Sequence, residues 1–350
     1  MIELDPGALR ALMVDILTAL DVPDDECAIV VNSFMEATLA GYDSHGIMRI
    51  PMYFDDIRSG QMVPGASLDT VTETPASALL DANYGLGPVI AERSLAVACD
   101  KARQTGIGCV SVTRSNEIAR LGVYVREPAL AGLITVLMVN DAGGGPVVAP
   151  WGSTQPFLST NPIAVGFPWR DDTPIIIDLS TSIVAAGKLK MARSSGSSAP
   201  EGWLIDRHGE TTTDVESFFA EPRMSALLPL GGLMAGHKGF ALSLIVDILG
   251  GALSGDGCSS GEEMGNRNGV FALAIDPQMF ATRDVFLRHV NDFVEKLKAC
   301  DTMPGVDEIL MPGERSQRVR EQRLKNGVPI EPSVWQEITR IMDELGLTHP

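Results

Sequence analysis

The stretch Asp43-Ser44-His45-Gly46-Ile47-Met48-Arg49-Ile50-Pro51-Met52-Tyr53 concentrates side chains that can do chemistry. His45 precedes Arg49 by four residues, and Tyr53 follows after four more. On a continuous helix these three share one face, because positions four apart are surface neighbours. Pro51 bears on that expectation, since proline suits a first helical turn and kinks an interior. An imidazole titrates near neutrality and can protonate a developing alkoxide. A planar guanidinium can hold a carboxylate through two parallel hydrogen bonds. A 2-oxo acid offers both targets on adjacent carbons. A structural histidine beside a surface arginine accounts for the same residue types at least as well when the motif stands alone.

The surrounding pattern says what must position this stretch. Asp5 and Pro6 predict a capped helix with Leu9, Leu12, Met13, Ile16 and Leu20 at helical spacing. A second helix is expected over residues 23–39, with Gly41 as its stop. The reactive stretch then sits at the mouth of a helical N-terminal unit ending near Gly60. Beyond Pro64 the chain alternates strand and helix signals. Helices are expected over 88–104, 123–131, 183–191, 237–253, 283–300 and 333–345. Strands are expected over 108–112, 133–139, 174–178 and 270–275, with 163–167 an apolar segment after turns and 114–117 a loop or cap. Ser180, Thr181 and Ser182 are expected to cap the 183–191 helix, and the 237–253 helix is apolar almost all round, which predicts burial. Gly143-Gly144-Gly145-Pro146 breaks the chain, and residues 194–200 read as a loop. The pattern divides into residues 1–60, a helical unit; 61–305, a central α/β region; and 306–350, a C-terminal segment packing back on the first.

A chain of 350 residues can bury a sizeable core. Its net charge of −18 and pI near 4.6 argue against nucleic acid or an anionic membrane surface as partner, because both select basic surfaces. A small anion can still be captured by local cations. The five cysteines, Cys27, Cys99, Cys109, Cys258 and Cys300, are scattered and form no CxxC. No signal pattern opens the chain and no apolar run approaches the roughly 20 residues of a membrane span. The expectation is a reduced, soluble, cytoplasmic protein.

Other motifs narrow the field. His45, His208, His237, His289 and His349 give no metal-ligand spacing, so no metal site is expected. Gly85-x-Gly87 lacks the third glycine of a dinucleotide fingerprint. Gly231 and Gly236 are followed by His237-Lys238-Gly239 rather than Gly-Lys-Ser/Thr, so the P-loop reading fails. No GxSxG elbow accompanies Asp43-Ser44-His45. Lys238, at the entry to a helix, could meet a cofactor phosphate or be an exposed loop lysine. Gly313-Glu314-Arg315 is either a solvated turn or a clasp on a ribose and its phosphate.

In order, DSHGIMRIPMY, RSNE, VAPWGSTQPFLSTNPIAVGFP, IIIDLSTSIVAAGKL, LPLGG with HKGFALSLIVDIL, and LMPGE closely resemble the type 2 malate/L-lactate dehydrogenase family. That family also includes ureidoglycolate, sulfolactate, diketogulonate and Δ1-piperideine-2-carboxylate enzymes. The resemblance, running from about residue 5 to 347, implies a mixed α/β, non-Rossmann fold with a central mixed sheet and a homodimer. It implies NAD or NADP as cofactor, and a small carboxylate substrate that exchanges a hydride at C2. By the same resemblance His45 is the proton donor or acceptor, Ser44 orients it and Arg49 holds the substrate carboxylate. Tyr53, Thr160, Asn161 and Lys188 fall on the substrate side. Asp178, Leu179, Ser180, Lys238, Gly239, Gly313, Glu314 and Arg315 fall on the cofactor side, with Glu117 and Ile118 lining the nicotinamide.

Two departures stand out. Family members usually carry a histidine and an aromatic where this chain has Glu117 and Ile118, so a carboxylate enters the cleft and needs a proton or a cation such as Arg120. Lys188 stands where the imine-reducing members carry an Asp, which leans the chain toward C=O chemistry. The rivals are a cyclic ketimine reductase, for which Glu117 would recognise a substrate nitrogen, and a nucleotide-binding dimer that has lost catalysis.

Overall fold

Asp5 opens the first helix as its residue type requires: its Oδ1 accepts from the backbone N–H of Gly7 at 2.8 Å and Ala8 at 3.0 Å. Helices α1 (Pro6–Ala19) and α2 (Asp24–Leu39) follow, and Gly41 ends the run with φ of 85°. Further helices that bear on the site are α3 (Ile50–Ser59), α4 (Gly87–Thr105), α5 (Ala186–Ser194), α6 (Gly232–Val246), α7 (Glu314–Asn326) and α8 (Pro332–Leu345), and Arg283–Lys298 is helical as expected. The computed structural model describes residues 2–141, 145–170, 172–261 and 267–348. Gly143 and Gly144, expected to break the chain, lie outside the described residues.

Seven strands form the central sheet: β1 (Asp69–Glu73), β2 (Ser77–Asp81), β3 (Ile107–Asn116), β4 (Ile134–Asp141), β5 (Ile163–Phe167), β6 (Ile175–Leu179) and β7 (Arg267–Ile275). Their spatial order is β1-β2-β3-β7-β4-β5-β6. Only β2 and β3 run parallel, joined through α4; every other pair in this sheet is antiparallel. A doubly wound dinucleotide fold needs a mainly parallel sheet, so the fold is mixed α/β and not of the Rossmann type. Gly87, part of the rejected glycine pair, serves a close approach within the protein: a Cβ there would lie 1.8 Å from the Glu117 carbonyl oxygen.

The C-terminal segment closes on the N-terminal helices. Ile2–Leu4 pairs antiparallel with Val328–Ile330. Val328, Ile330, Ile338, Ile341 and Met342 share one core with Leu9, Met13, Ile16, Val30 and Phe34. Arg323 of α7 then reaches the reactive stretch: its two terminal nitrogens meet the two Asp43 carboxylate oxygens at 2.5 and 3.0 Å, and one also donates to the Thr38 carbonyl. This fork fixes the residue next to Ser44 from the opposite end of the chain.

The structure departs from the pattern in four places. Residues Arg114, Ser115 and Asn116 extend β3 rather than forming a loop, because Arg267 and Asn268 of β7 pair with Asn116 and Ser115. The predicted 123–131 helix is a single turn, Leu121–Val123, and a short helix, Arg126–Leu130. The helix expected from Ile183 begins at Ala186 without a serine cap, since the Ser180 and Ser182 hydroxyls bond each other and nearby carbonyls. The apolar helix near 237–253 is not buried all round. Gly232–Ala252 is 21 residues long and apolar enough by composition to cross a membrane, which corrects the expectation of no such run. One face packs on the sheet, where Asp247 accepts from Asn140 Nδ2 at 3.0 Å, while Leu233, Met234, Ile245, Ile248 and Leu253 are exposed.

Removing the Arg323 fork leaves Asp43 and the Thr38 carbonyl without their cation. Arg323→Ala is expected to lower the unfolding free energy by about 2 kcal/mol. Urea denaturation checks this, and a change below about 0.5 kcal/mol would mark the pair as merely solvated.

Candidate active site

The reactive stretch is not one helix. Asp43–His45 and Ile47–Arg49 are separate single turns, broken at Gly46, where φ is −117° and ψ is −123°. Pro51 sits in the first turn of α3, the position its missing N–H tolerates. The break is steric: a Cβ at Gly46 would lie 2.0 Å from Thr38 Oγ1 and 2.9 Å from the Thr38 nitrogen. Thr38 Oγ1 accepts from Ile47 N–H at 2.9 Å, holding the segment flush against α2. The helical-face argument for His45, Arg49 and Tyr53 is therefore corrected.

His45 and Arg49 nevertheless line one cavity of about 460 Å³, together with Ser44, Glu117, Ile118 and Thr160. That size suits a small molecule and part of a cofactor. Ser44 Oγ lies 3.0 Å from His45 Nδ1, which leaves Nε2 for a ligand. Arg49 Nη2 stands 3.5 Å from Glu117 Oε1. The cation facing Glu117 is thus Arg49 and not Arg120, whose Nε pairs with Asp178 at 2.9 Å. Tyr53 is fully buried and supports the wall from behind: its hydroxyl donates to the Glu117 carbonyl at 2.7 Å, and its ring meets Phe34 edge-on.

The electrostatics favour a neutral imidazole. Burial, then the Arg49 and Arg120 guanidinium groups, hold the His45 pKa down at about 3. Burial pushes the Tyr53 phenol up, and Glu117 adds to that, so Tyr53 stays a neutral donor. Lys190 also lines the cavity, and desolvation, then Arg49 and Arg223, lower its pKa.

Lys188 is exposed and does not line the cavity. Ala186, Gly187 and Lys190 do, at the i, i+1, i+4 spacing of one helix face, so residue 188 points elsewhere. That periodicity could have found Lys190 in the sequence. Asn161 is buried beside the site, with its Nδ2 donating to Ser243 Oγ at 3.0 Å, and it too is absent from the lining. Asp141, Ser159 and Asn268 line the cavity and carry no local sequence signal, since β4, β7 and the 145–160 segment meet only through the sheet.

The cofactor candidates divide. Ile118 and Glu117 line the large cavity. Arg120 and Gly122 line a second one of about 70 Å³ with Arg126, Ile176, Gly313 and Arg320. Ala119 and Leu121, on the same short segment, line the first. Asp178 braces this segment by accepting from Arg120 and from Gly122 N–H at 3.1 Å. A Cβ at Gly122 would lie 2.6 Å from Asp178 Oδ2, and Gly313 has φ of 100°, so neither position admits a side chain. The arginines of this small cavity are paired, Arg120 with Asp178, Arg126 with Glu127 and Arg320 with Glu36, and Asp172 lines it as well. Leu179, Ser180, Lys238, Gly239, Glu314 and Arg315 line neither cavity. Lys238 and Arg315 are exposed. Gly239 packs on Leu230, and Glu314 binds Lys298 Nζ at 2.6 and 2.7 Å. Among the described residues no cluster of His, Cys, Asp and Glu could hold a metal ion.

Comparison with known proteins places this arrangement. The model of the malate/L-lactate dehydrogenase family matches residues 4–339, and the chain belongs to that family. It is therefore an oxidoreductase of a family named for the dehydrogenation of hydroxy acids, and membership suggests a nicotinamide cofactor. The malate dehydrogenase of Pyrococcus horikoshii is 38% identical over 99% of this chain and 96% of its own length. A solved structure of that enzyme superposes with a TM-score of 0.89 at 36% identity, covering 100% of this chain and 97% of the other. The L-sulfolactate dehydrogenase of Methanothermobacter thermautotrophicus is 34% identical over 99% of this chain and 98% of its own. The Δ1-piperideine-2-carboxylate reductase of Pseudomonas syringae superposes with a TM-score of 0.80 at 28% identity, over 97% of this chain and 100% of that one.

A histidine held neutral in the folded state costs stability in acid. The unfolded chain binds a proton below pH 6.5, while the folded imidazole does so only near 3. Stability supplied by this group is complete above pH 6.5 and falls as the pH drops toward 3, by at most about 4 kcal/mol. His45→Gln should flatten that part of the stability curve. Parallel curves for the two proteins across pH 6.5 to 3 would contradict the neutral assignment.

Proposed function

We propose that this chain transfers a hydride between NAD or NADP and C2 of a small 2-hydroxy or 2-oxo acid, with His45 exchanging the hydroxyl proton. The observation that carries the reading is the juxtaposition of a serine-braced imidazole and a half-buried guanidinium on one cavity. The nicotinamide, when bound, supplies or accepts the hydride. Arg49 takes the substrate carboxylate and so sets C2 and its oxygen beside the imidazole. Ser44 fixes the ring through Nδ1, so that Nε2 faces the hydroxyl. Neutral in the free enzyme, His45 is ready to accept the proton of an alcohol as it is oxidised. In the reverse direction it must first be protonated. The bound carboxylate promotes this by offsetting the Arg49 charge that holds the imidazole pKa down. This reading assigns the cofactor to Ile118 at the large cavity and to Arg120, Gly122 and Gly313 at the small one, which line those cavities.

The assembly proposed is a homodimer. A second copy would cover the exposed apolar face of α6 and the turn that continues it, where Leu233, Met234, Ile245 and, past the end of α6, Ile248 otherwise meet water. The unpaired cysteines suit the reducing cytoplasm. The alternative chemistry, reduction of a cyclic imino acid, draws on Glu117 in the cavity and on the likeness to the piperideine-2-carboxylate enzyme. Oxidation of NADH and NADPH in parallel, against 2-oxo acids and cyclic imino acids, decides between the two.

The roles separate kinetically. His45→Ala should lower kcat by about 10²- to 10⁴-fold with little change in KM. Arg49→Ala should chiefly raise KM for the acid, by about 10²-fold. Equal losses confined to nucleotide binding in both variants would contradict the assignment.

A further inference from the structure

Glu117 has no task in the hydroxy-acid reading above. The two oxygens of Glu117 differ in their surroundings. Oε1 accepts from Ala119 N–H at 3.0 Å and faces Arg49 at 3.5 Å. Oε2 is buried and has no hydrogen-bond partner among the described residues. The Nε of Arg49 is likewise buried without a partner among them. A buried acceptor left unmade is costly, more so when charged, so such a group calls for a donor that arrives with a ligand. Relaxation of the backbone does not relieve it. The Glu117 carbonyl is held by Tyr53, Gly87 packs against the same atom, and Ile118 N–H donates to Asn268 Oδ1 at 3.2 Å.

We infer that Glu117 Oε2 accepts a hydrogen bond from a donor on the substrate beyond C2, a hydroxyl or a protonated amine, and so selects 2-hydroxy acids that carry one. The inference rests on the reading of the cavity as a 2-hydroxy acid site. A carboxylate seated on Arg49 lies within one or two carbons of Glu117, because the guanidinium and the Glu117 carboxylate are themselves 3.5 Å apart. Charge points the same way. Among the described residues the cavity lining holds two cations, Arg49 and Lys190, against two carboxylates, Glu117 and Asp141. A substrate with one carboxylate and a neutral or cationic donor leaves that balance near even, whereas a second carboxylate would stand against Glu117.

Four acids differing only at C3 test it: L-lactate, L-glycerate, L-isoserine (3-amino-2-hydroxypropanoate) and L-malate, each oxidised with NAD and with NADP. Glycerate or isoserine is expected to exceed lactate and malate in kcat/KM by about tenfold or more. Glu117→Ala should bring that ratio near one. Glu117→Gln, which keeps an acceptor oxygen without the charge, should retain part of a glycerate preference and lose an isoserine preference. Thermal unfolding of both variants verifies that they fold. An unchanged ratio in Glu117→Ala would overturn the inference. So would a malate preference that disappears in Lys190→Ala, which would assign the cavity to dianions. If none of the four is oxidised, the hydride-transfer reading fails on these acids and calorimetric binding of the same series decides the present point. A binding preference for glycerate or isoserine lost in Glu117→Ala upholds it, and equal affinities overturn it.

Discussion

A guanidinium only loosely paired with its carboxylate, set beside an imidazole in a half-buried cavity, is the constraint on which the site depends. Arg49 stands 3.5 Å from Glu117 through Nη2, donates from Nη1 to Met52 Sδ at 3.8 Å, and keeps its buried Nε without a hydrogen-bond partner among the described residues. Burial, and after it the Arg49 and Arg120 charges, deny His45 a proton at neutral pH. Neither condition suits a resting protein. Both suit one that takes up an anion, because a bound carboxylate satisfies the guanidinium and restores basicity to the ring in the same event. Recognition and proton exchange are then two consequences of one charge.

Much of the fold can be read as the means of holding these two groups where water alone would separate them. The reactive stretch is pressed onto α2 by the contact of Gly46 with Thr38. It is clamped from behind by Arg323, which arrives some 280 residues later on α7. The opposite wall, residues 117–122, is held by Tyr53, Gly87, Asn268 and Asp178, contributed by α3, α4, β7 and β6. Four elements distant in sequence thus fix a segment of six residues that is neither helix nor strand over most of its length. A loop so restrained loses little entropy on binding, which is how a site gains precision from a scaffold.

The legible part of the structure was the part written in local chemistry. Asp5, Pro6 and the apolar spacing of α1 fixed its start, and continuous apolar runs found β4, β6 and β7. Ordered motifs identified the family and therefore the mixed sheet, which no composition would have distinguished from a Rossmann fold. Long-range packing was not legible. The break at Gly46 follows from Thr38, the length of β3 from its pairing with β7, and the partner of Glu117 from how α3 meets the 117–122 wall. At α6 the polarity of individual residues suggested burial, but the sheet covers one face only. Lys190 was within reach of helical periodicity and was displaced by its neighbour Lys188, a reminder that a helix reverses its face in two residues.

The most direct test of the central claim is to count protons when the anion binds. Oxamate, an unreactive analogue of a 2-oxo acid, would be titrated calorimetrically into the cofactor-loaded enzyme near pH 6, in buffers of different ionisation enthalpy. The account predicts uptake of part of a proton in the wild type and none in His45→Gln, because the carboxylate raises the pKa of an imidazole that begins near 3. Binding without uptake, or uptake of the same size in the variant, would show that Arg49 and His45 are not coupled through the substrate's charge.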